Sequence, residues 1–173
     1  MDELSGETCP LCMKPTLTLR ESEQEVPYFG TMLVFSMNCT DPECGYAVSD
    51  VEFENEQEPC RYDFEVSSET DLNARFIKGS AATVRVGRIA TIEPGASPDG
   101  YVSTVEGVLL RLQSVLEQVR DTEDDPDQRK RAKNQLKKLL KIISGHEPVT
   151  ITILDPTGNS AIIHEKAERK KLK

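Results

Sequence analysis

The sequence predicts a mainly β chain interrupted by one α-helical hairpin and headed by a small four-cysteine module. Three observations carry this prediction. Two closely spaced cysteine pairs, "TCPLCM" at residues 8–13 and "NCTDPECGY" at residues 38–46, bracket a hairpin-sized stretch. Apolar and polar residues alternate in "TLTLRE", "RYDFEV", "ATVRVGRIATI" and "VTITILD", the pattern of half-buried strands. Before the last of these, residues 104–145 change to a helical period and then return to alternation, so the helices interrupt a β domain instead of following it.

The totals set limits on function. The chain has 173 residues, 37% hydrophobic and 29% charged, with 5% aromatics and a net charge of −9. That length suits a domain of ordinary size, or a small module joined to a modest one. The negative balance argues against long-range attraction of the whole molecule to nucleic acid or anionic lipid. No stretch approaches the roughly 20 apolar residues of a membrane span. The N-terminal "MDELSGETCP" is acidic and polar, unlike a signal peptide. These features predict a cytoplasmic protein, where thiols stay reduced.

Five cysteines, an odd number, argue against a disulfide framework there. Cys9-Pro-Leu-Cys12 has the spacing of a redox pair, but such a pair needs its first thiol at a helix N-terminus. Here Pro15 and the strand-like "TLTLRE" follow instead. Cys39 and Cys44 form a second pair, with 26 residues between Cys12 and Cys39. Two short-spaced pairs on tight knuckles suit a tetrahedral four-thiolate site. Pro10 and Pro42 favour the turns, and Gly45 permits close backbone approach. One structural zinc ion held by Cys9, Cys12, Cys39 and Cys44 is therefore expected, with no open position for catalysis. Cys60, in "PCRYDFEV", reads as a small buried hydrophobe.

Along the chain, residues 1–50 form the predicted finger: a knuckle, strands near Thr16–Glu21 and Met32–Met37 with a turn around Pro27, and a second knuckle. "YAVSDVEFE" is an extended exit, and "ENEQEP" an acidic linker. The β domain, residues 51–165, opens with "RYDFEV". A short helix in "TDLNARFI" is expected with Thr70 or Asp71 as its cap. The paired strands of "ATVRVGRIATI" follow. Ser103-Thr-Val-Glu106 fits a capping box, and Val108, Leu109, Leu112, Val115, Leu116 and Val119 recur at helical spacing. Asp125-Pro126 starts a second helix, whose apolar stripe is Ala132, Leu136, Leu139, Leu140 and Ile143, and Gly145 closes it. After "VTITILD", "PTGN" is a turn and "SAIIHE" a strand. Residues 166–173 read as a frayed basic tail.

Four segments in this order resemble the ZPR-type zinc-finger family, in its single-copy, archaeal-type form. They are the cysteine pairs with Gly45-Tyr46, "SETDLNARFIKGSAATVRV", "GYVSTVEGVLL" and "ILDPTGNSAII". The resemblance implies a zinc ribbon followed by a double-stranded β-helix-like domain carrying the hairpin. It also implies a non-enzymatic protein that binds translation elongation factor one-alpha and assists its folding. Eukaryotic members carry the module twice; here it occurs once. The second knuckle departs from the family, with four residues between Cys39 and Cys44 where two are usual.

Two motifs invite a contact role. Asp71, Arg75 and Lys78 in "ETDLNARFIK" suit a partner-contacting turn, against a plainer reading as a helix cap and a solvated basic face. Asp155, Gly158 and Asn159 in "DPTGN" suit a contact or an ordinary hairpin turn. A rival function is a zinc-ribbon nucleic-acid or ribosome-associated protein using the basic helix 127–143, which holds seven bases against one acid. Residues 1–50 weigh against it: nine acids and two bases, a net of −7, repel phosphate. Enzymatic activity is not expected, because the chain has two His, no nucleophile–base motif and no phosphate-cradling Gly loop.

Overall fold

The computed structural model describes residues 2–27, 29–97 and 99–172. Strands β1 (Asp2–Glu7), β2 (Leu17–Val26), β3 (Gly30–Cys39) and β4 (Ala47–Phe53) form an antiparallel meander in that order. The acidic N-terminus forms the edge strand of this sheet, exposed along its whole length. A second sheet has the order β12-β5-β10-β7-β8, from β5 (Cys60–Val66), β7 (Thr83–Val86), β8 (Ala90–Ile92), β10 (Val149–Asp155) and β12 (Glu168–Lys171). A third has the order β11-β6-β9, from β6 (Arg75–Lys78), β9 (Tyr101–Thr104) and β11 (Ala161–Ile163).

Alternation in β5 and β10 aims Tyr62, Phe64, Ile151 and Ile153 inward, while Arg61, Glu65 and Thr150 face out. Phe64 and Phe76 are fully buried, each worth roughly 1.5–3 kcal/mol relative to exposure. The pairing is long-range: β5 lies against β10, and β6 against β9 and β11. This is the double-stranded β-helix, or jelly-roll, architecture that the resemblance implies.

Between β9 and β10 the chain leaves the sheets as the expected hairpin, α2 (Val105–Thr122) and α3 (Pro126–Ile143). Asp125 caps α3 by accepting the Asp127 amide, and Pro126 opens it. Gly145, at φ 70°, follows the last turn in the left-handed conformation. The α2 cap is Thr104, one residue later than the Ser103 box, because its hydroxyl accepts the Gly107 amide at 3.1 Å. The buried stripes also shift. Val115 is 56% exposed and Leu140 46%, whereas Val105 and Ile142 are buried. Helix α1 (Glu69–Leu72) is capped by Ser68, not Thr70 or Asp71.

Two boundaries differ from the linear picture. Residue 50 lies inside β4, and Val26, Met32, Val51 and Phe53 of the meander belong to the same hydrophobic core as the jelly-roll. The basic tail does not fray over its described residues, 166–172; residue 173 lies outside them. β12 pairs with β5, Lys170 reaches Asp63 at 3.1 Å, and Lys166 reaches Asp71 at 2.9 Å. The acidic partners that recruit this tail are far away in sequence. Among the described residues, no helix is long and apolar enough to cross a membrane.

Candidate metal centre

The β2–β3 register brings the two cysteine pairs together. Leu17 pairs with Cys39, so the knuckle before β2 meets the one after β3. The first knuckle closes through the Met13 amide to the Cys9 carbonyl and the Cys9 amide to the Lys14 carbonyl, each at 2.9 Å. This requires Met13 to adopt a left-handed φ of 61°. The second closes through the Cys44 amide to the Asp41 carbonyl at 3.1 Å, with Gly45 at φ 65°. Its longer loop is stabilised by Asp41, whose carboxylate accepts the Glu43 amide and pairs with Lys14 of the first knuckle. The Thr40 amide to the Thr16 carbonyl, at 2.8 Å, adds a second tie between the knuckles. The enlarged spacing is thus absorbed without separating the ligands.

The sulfurs of Cys9 and Cys44 lie 3.7 Å apart, and those of Cys12 and Cys39 3.8 Å. All four lie within 4.8 Å of one another. A metal–sulfur bond of about 2.3 Å puts tetrahedral sulfurs roughly 3.8 Å apart, so the cluster is able to coordinate a metal ion.

Electrostatics agree. The Lys14 backbone amide lowers the Cys12 thiol to about 7. The Tyr46 amide favours the Cys44 thiolate, but burial and the neighbouring sulfurs outweigh it and push Cys44 up to about 12. Four sulfurs this close cannot all ionise alone, and a dication removes that conflict. Thr16, which the sequence reading passed over, places its hydroxyl 3.1 Å from the Cys39 sulfur and 3.8 Å from that of Cys12. Against thiolates it donates, an outer-shell contact of the kind that orients ligands. Its only signal in the sequence is its position between the first knuckle and β2. Cys60 stands apart: it is buried, and burial followed by the Asp155 charge pushes its thiol up to about 11.

The six residues with a suggested contact role are placed chiefly where the finger sheet meets the jelly-roll. Asp71 is 1% exposed and accepts the Ser67 and Ser68 amides and the Lys166 ammonium. Burial alone would raise its pKa, but those donors hold it well below the usual carboxylate range. Arg75 hydrogen-bonds Gln24 of β2. Lys78 is buried and donates to the Asp99 carbonyl at 2.8 Å. Burial lowers its pKa, opposed by the charges of Asp99, Asp50 and Asp155. Asp155 is buried and accepts the Thr157 amide and the Ser160 hydroxyl. The Asn159 side-chain oxygen accepts the Phe53 amide of β4 at 3.3 Å. Gly158, at φ 78°, passes so near the linker that a Cβ would meet the Glu58 carbonyl at 2.5 Å.

Asp50 and Ser80 complete this junction and were not legible in the sequence. The Asp50 carboxylate accepts both the amide and the hydroxyl of Ser80. Gly100 is needed beside it, since a Cβ there would meet the Asp50 Cα at 2.7 Å.

Residues 70–173 match the model of the ZPR1 jelly-roll domain. A ZPR1-like protein of Pyrococcus horikoshii is 37% identical over 95% of this chain and 75% of its own length. One from Methanocaldococcus jannaschii is 33% identical over 98% of this chain and 86% of its own. The zinc finger chaperone zpr1 of Schizosaccharomyces pombe is 31% identical over 79% of this chain, which spans 30% of that longer protein. The four-cysteine finger, the jelly-roll and its inserted hairpin, together with these matches, place the chain in the ZPR1 jelly-roll zinc-finger family.

Proposed function

We propose that this chain is a non-enzymatic, zinc-dependent adaptor that engages a translation elongation factor of the one-alpha class and assists its folding. The metal is zinc, because four thiolates in a tetrahedron suit its ligand preference and leave no position for substrate. The ion is structural and holds the two knuckles in place.

The observation that carries a partner role for the finger is its tip. Leu11 and Met13 are 64% and 72% exposed on a turn that the metal would hold rigid. Large apolar side chains presented this way suit insertion into a partner's pocket, and a rigid turn loses little entropy on binding. Glu7 and Glu43 are exposed at the two knuckles and Glu21 and Glu23 along β2, so the complementary surface is basic with an apolar recess. The jelly-roll supports this finger, and β4, whose Val51 and Phe53 lie in the shared core, joins the two. Arg75, through Gln24, and Asn159, through the Phe53 amide, tie the jelly-roll to the finger sheet. Gly158 packs on the linker and Lys78 holds the Asp99 carbonyl beside β4, while Asp71 and Asp155 brace the jelly-roll turns behind them. The identity of the partner rests on family resemblance, supported by the chaperone name of the fission-yeast relative.

The test is complex formation with the elongation factor from the same organism in GDP-bound, GTP-bound and refolding states. A complex is expected by size-exclusion or calorimetry. Leu11→Ser with Met13→Ser should weaken it chiefly by faster dissociation. Glu21, Glu23 and Glu43 changed to Lys should slow association, since rim charge steers encounter. No complex in any of the three states refutes the elongation-factor reading.

A further inference from the structure

Helix α3 carries seven basic residues and one acid, Asp127, in a chain of net charge −9. Lys130, Lys133, Lys137 and Lys141 are all exposed. At 3.6 residues per turn they fall on one line spanning roughly 16 Å of the helix axis. That line runs opposite the buried Ala132, Leu136, Leu139 and Ile142, and Arg131 and Lys138 lie along one side of it. Lys141 pairs with Glu147 at 2.6 Å. Among the described residues Lys130, Arg131, Lys133, Lys137 and Lys138 have no ion-pair partner.

A helix face that serves only solubility mixes its signs, so that neighbours four residues apart attract. Here Lys133–Lys137 and Lys137–Lys141 are like-charged at that spacing, and Lys130–Lys133 and Lys138–Lys141 at a spacing of three. Each pair destabilises the isolated helix. An anionic ligand laid along the line turns each repulsion into attraction, which solvent alone does not.

We propose that the lysine line of α3 docks an acidic helical segment of a partner protein. Glutamates three and four residues apart on such a helix repeat at about 4.5–6 Å, the same intervals as the lysines. Nucleic acid fits less well. Helix α3 has no aromatic residue on which a base would stack. The line consists of lysines, which lack the bidentate fork suited to phosphate. Arg129, beside it, donates to the Glu123 and Asp124 carbonyls that close the hairpin loop. The surface is opposite in sign to the finger, so it adds a second docking site to the function proposed above and does not depend on it.

The experiment uses the full metal-loaded chain and two labelled probes of about 15 units: a helical peptide with glutamates at every fourth position, and a single-stranded RNA. Anisotropy is read across a salt series. The peptide should bind more tightly than the RNA, with affinity falling as salt rises. Lys137→Glu should weaken peptide binding by about tenfold or more. Its melting temperature should be unchanged or higher, because two repulsive pairs become attractive. Lys133→Gln, which adds no new charge, should weaken peptide binding in the same direction. Tighter binding of RNA than of peptide overturns the proposal in favour of a phosphate site. Self-association of the wild type that Lys137→Glu disperses overturns it in favour of a second copy as the occupant. Peptide binding that is absent, or equal in wild type and both variants, leaves the lysine line a solvated face and refutes the docking role.

Discussion

Stripping the metal with a chelator should release one end of the finger sheet and leave the other end folded. The β2–β3 ladder runs from Leu17↔Cys39 at the metal end to Val26↔Gly30 at the other. Near the metal Leu17 and Val48 are buried but lie outside the main core, and Leu19 and Met37 are only half-buried, so little of the core holds those strands once the knuckles open. At the far end Val26 is 2% exposed and Met32 0%, both within the jelly-roll core. The β4 residues Val51 and Phe53 share that core. With free zinc at about 100 times its dissociation constant, binding stabilises the folded state by roughly 2.7 kcal/mol. At this chain length that moves the melting midpoint by about 5–11 °C. Calorimetry with and without chelator measures the shift, and hydrogen exchange locates it. Amides in residues 9–20 and 36–46 should lose protection, while those of 24–26, 31–34 and 50–53 keep most of theirs. Equal loss of protection in β5 and β10 would refute the graded picture and make finger and jelly-roll a single cooperative unit. Unchanged protection at the knuckles would refute a structural role for the metal.

Two further outcomes follow from named contacts. Thr16→Val removes the hydroxyl 3.1 Å from the Cys39 sulfur and should weaken zinc binding by about 10-fold; Thr16→Ser should restore it, and competition with a coloured chelator gives the answer. Asp71→Ala leaves the Ser67 and Ser68 amides and Lys166 without their acceptor. It should cost about 3 kcal/mol, or roughly 6–12 °C in melting midpoint, and an unchanged midpoint would count against this anchor. The same carboxylates set the acid limit. Asp63 is held at about 2, chiefly by Arg61 and against a burial penalty, with Thr152 and Lys170 adding to it, and Asp71 is also depressed. A carboxylate depressed on folding stabilises fully above its unfolded pKa, near 4, and loses that contribution as pH falls through its folded value. Stability should therefore drop between about pH 4 and pH 2, Asp63 alone contributing roughly 2 kcal/mol. Denaturation midpoints across that range test the sign, and a flat profile would refute it.

The elements written locally were those the sequence determined. Two cysteine pairs on turn-forming residues specify two knuckles, because knuckle geometry is set within a few residues, and the hairpin-sized stretch between them supplies the β2–β3 ladder that brings their sulfurs together. Alternation in "RYDFEV" and "VTITILD" specifies strands with one buried face. Asp125-Pro126 and Gly145 mark the ends of α3, since capping depends on immediate neighbours. The segments around "ETDLNARF" and "DPTGN" also carried enough family-specific spacing to reveal kinship, though not the placement of their side chains.

What only the tertiary structure decided depends on residues far apart in the chain. The acidic N-terminus is strand β1 because β2 supplies a ladder for it. Residues 166–171 are held against the jelly-roll because Asp63 and Asp71 receive Lys170 and Lys166. Ser103 and Thr104 offer nearly equal caps, and pairing of β9 with β6 through Arg75↔Thr104 holds that strand to its last residue before α2 begins. Lys78 and Asp155 have the composition of surface residues, yet both are buried at the junction with Asp50 and Ser80 nearby. Val115 and Leu140 look like core residues by period, yet they face water. In each case a local pattern fixes how the backbone runs and which side chains share a face. Which face is covered, and by what, depends on contacts between distant segments, whose free energy no local pattern contains.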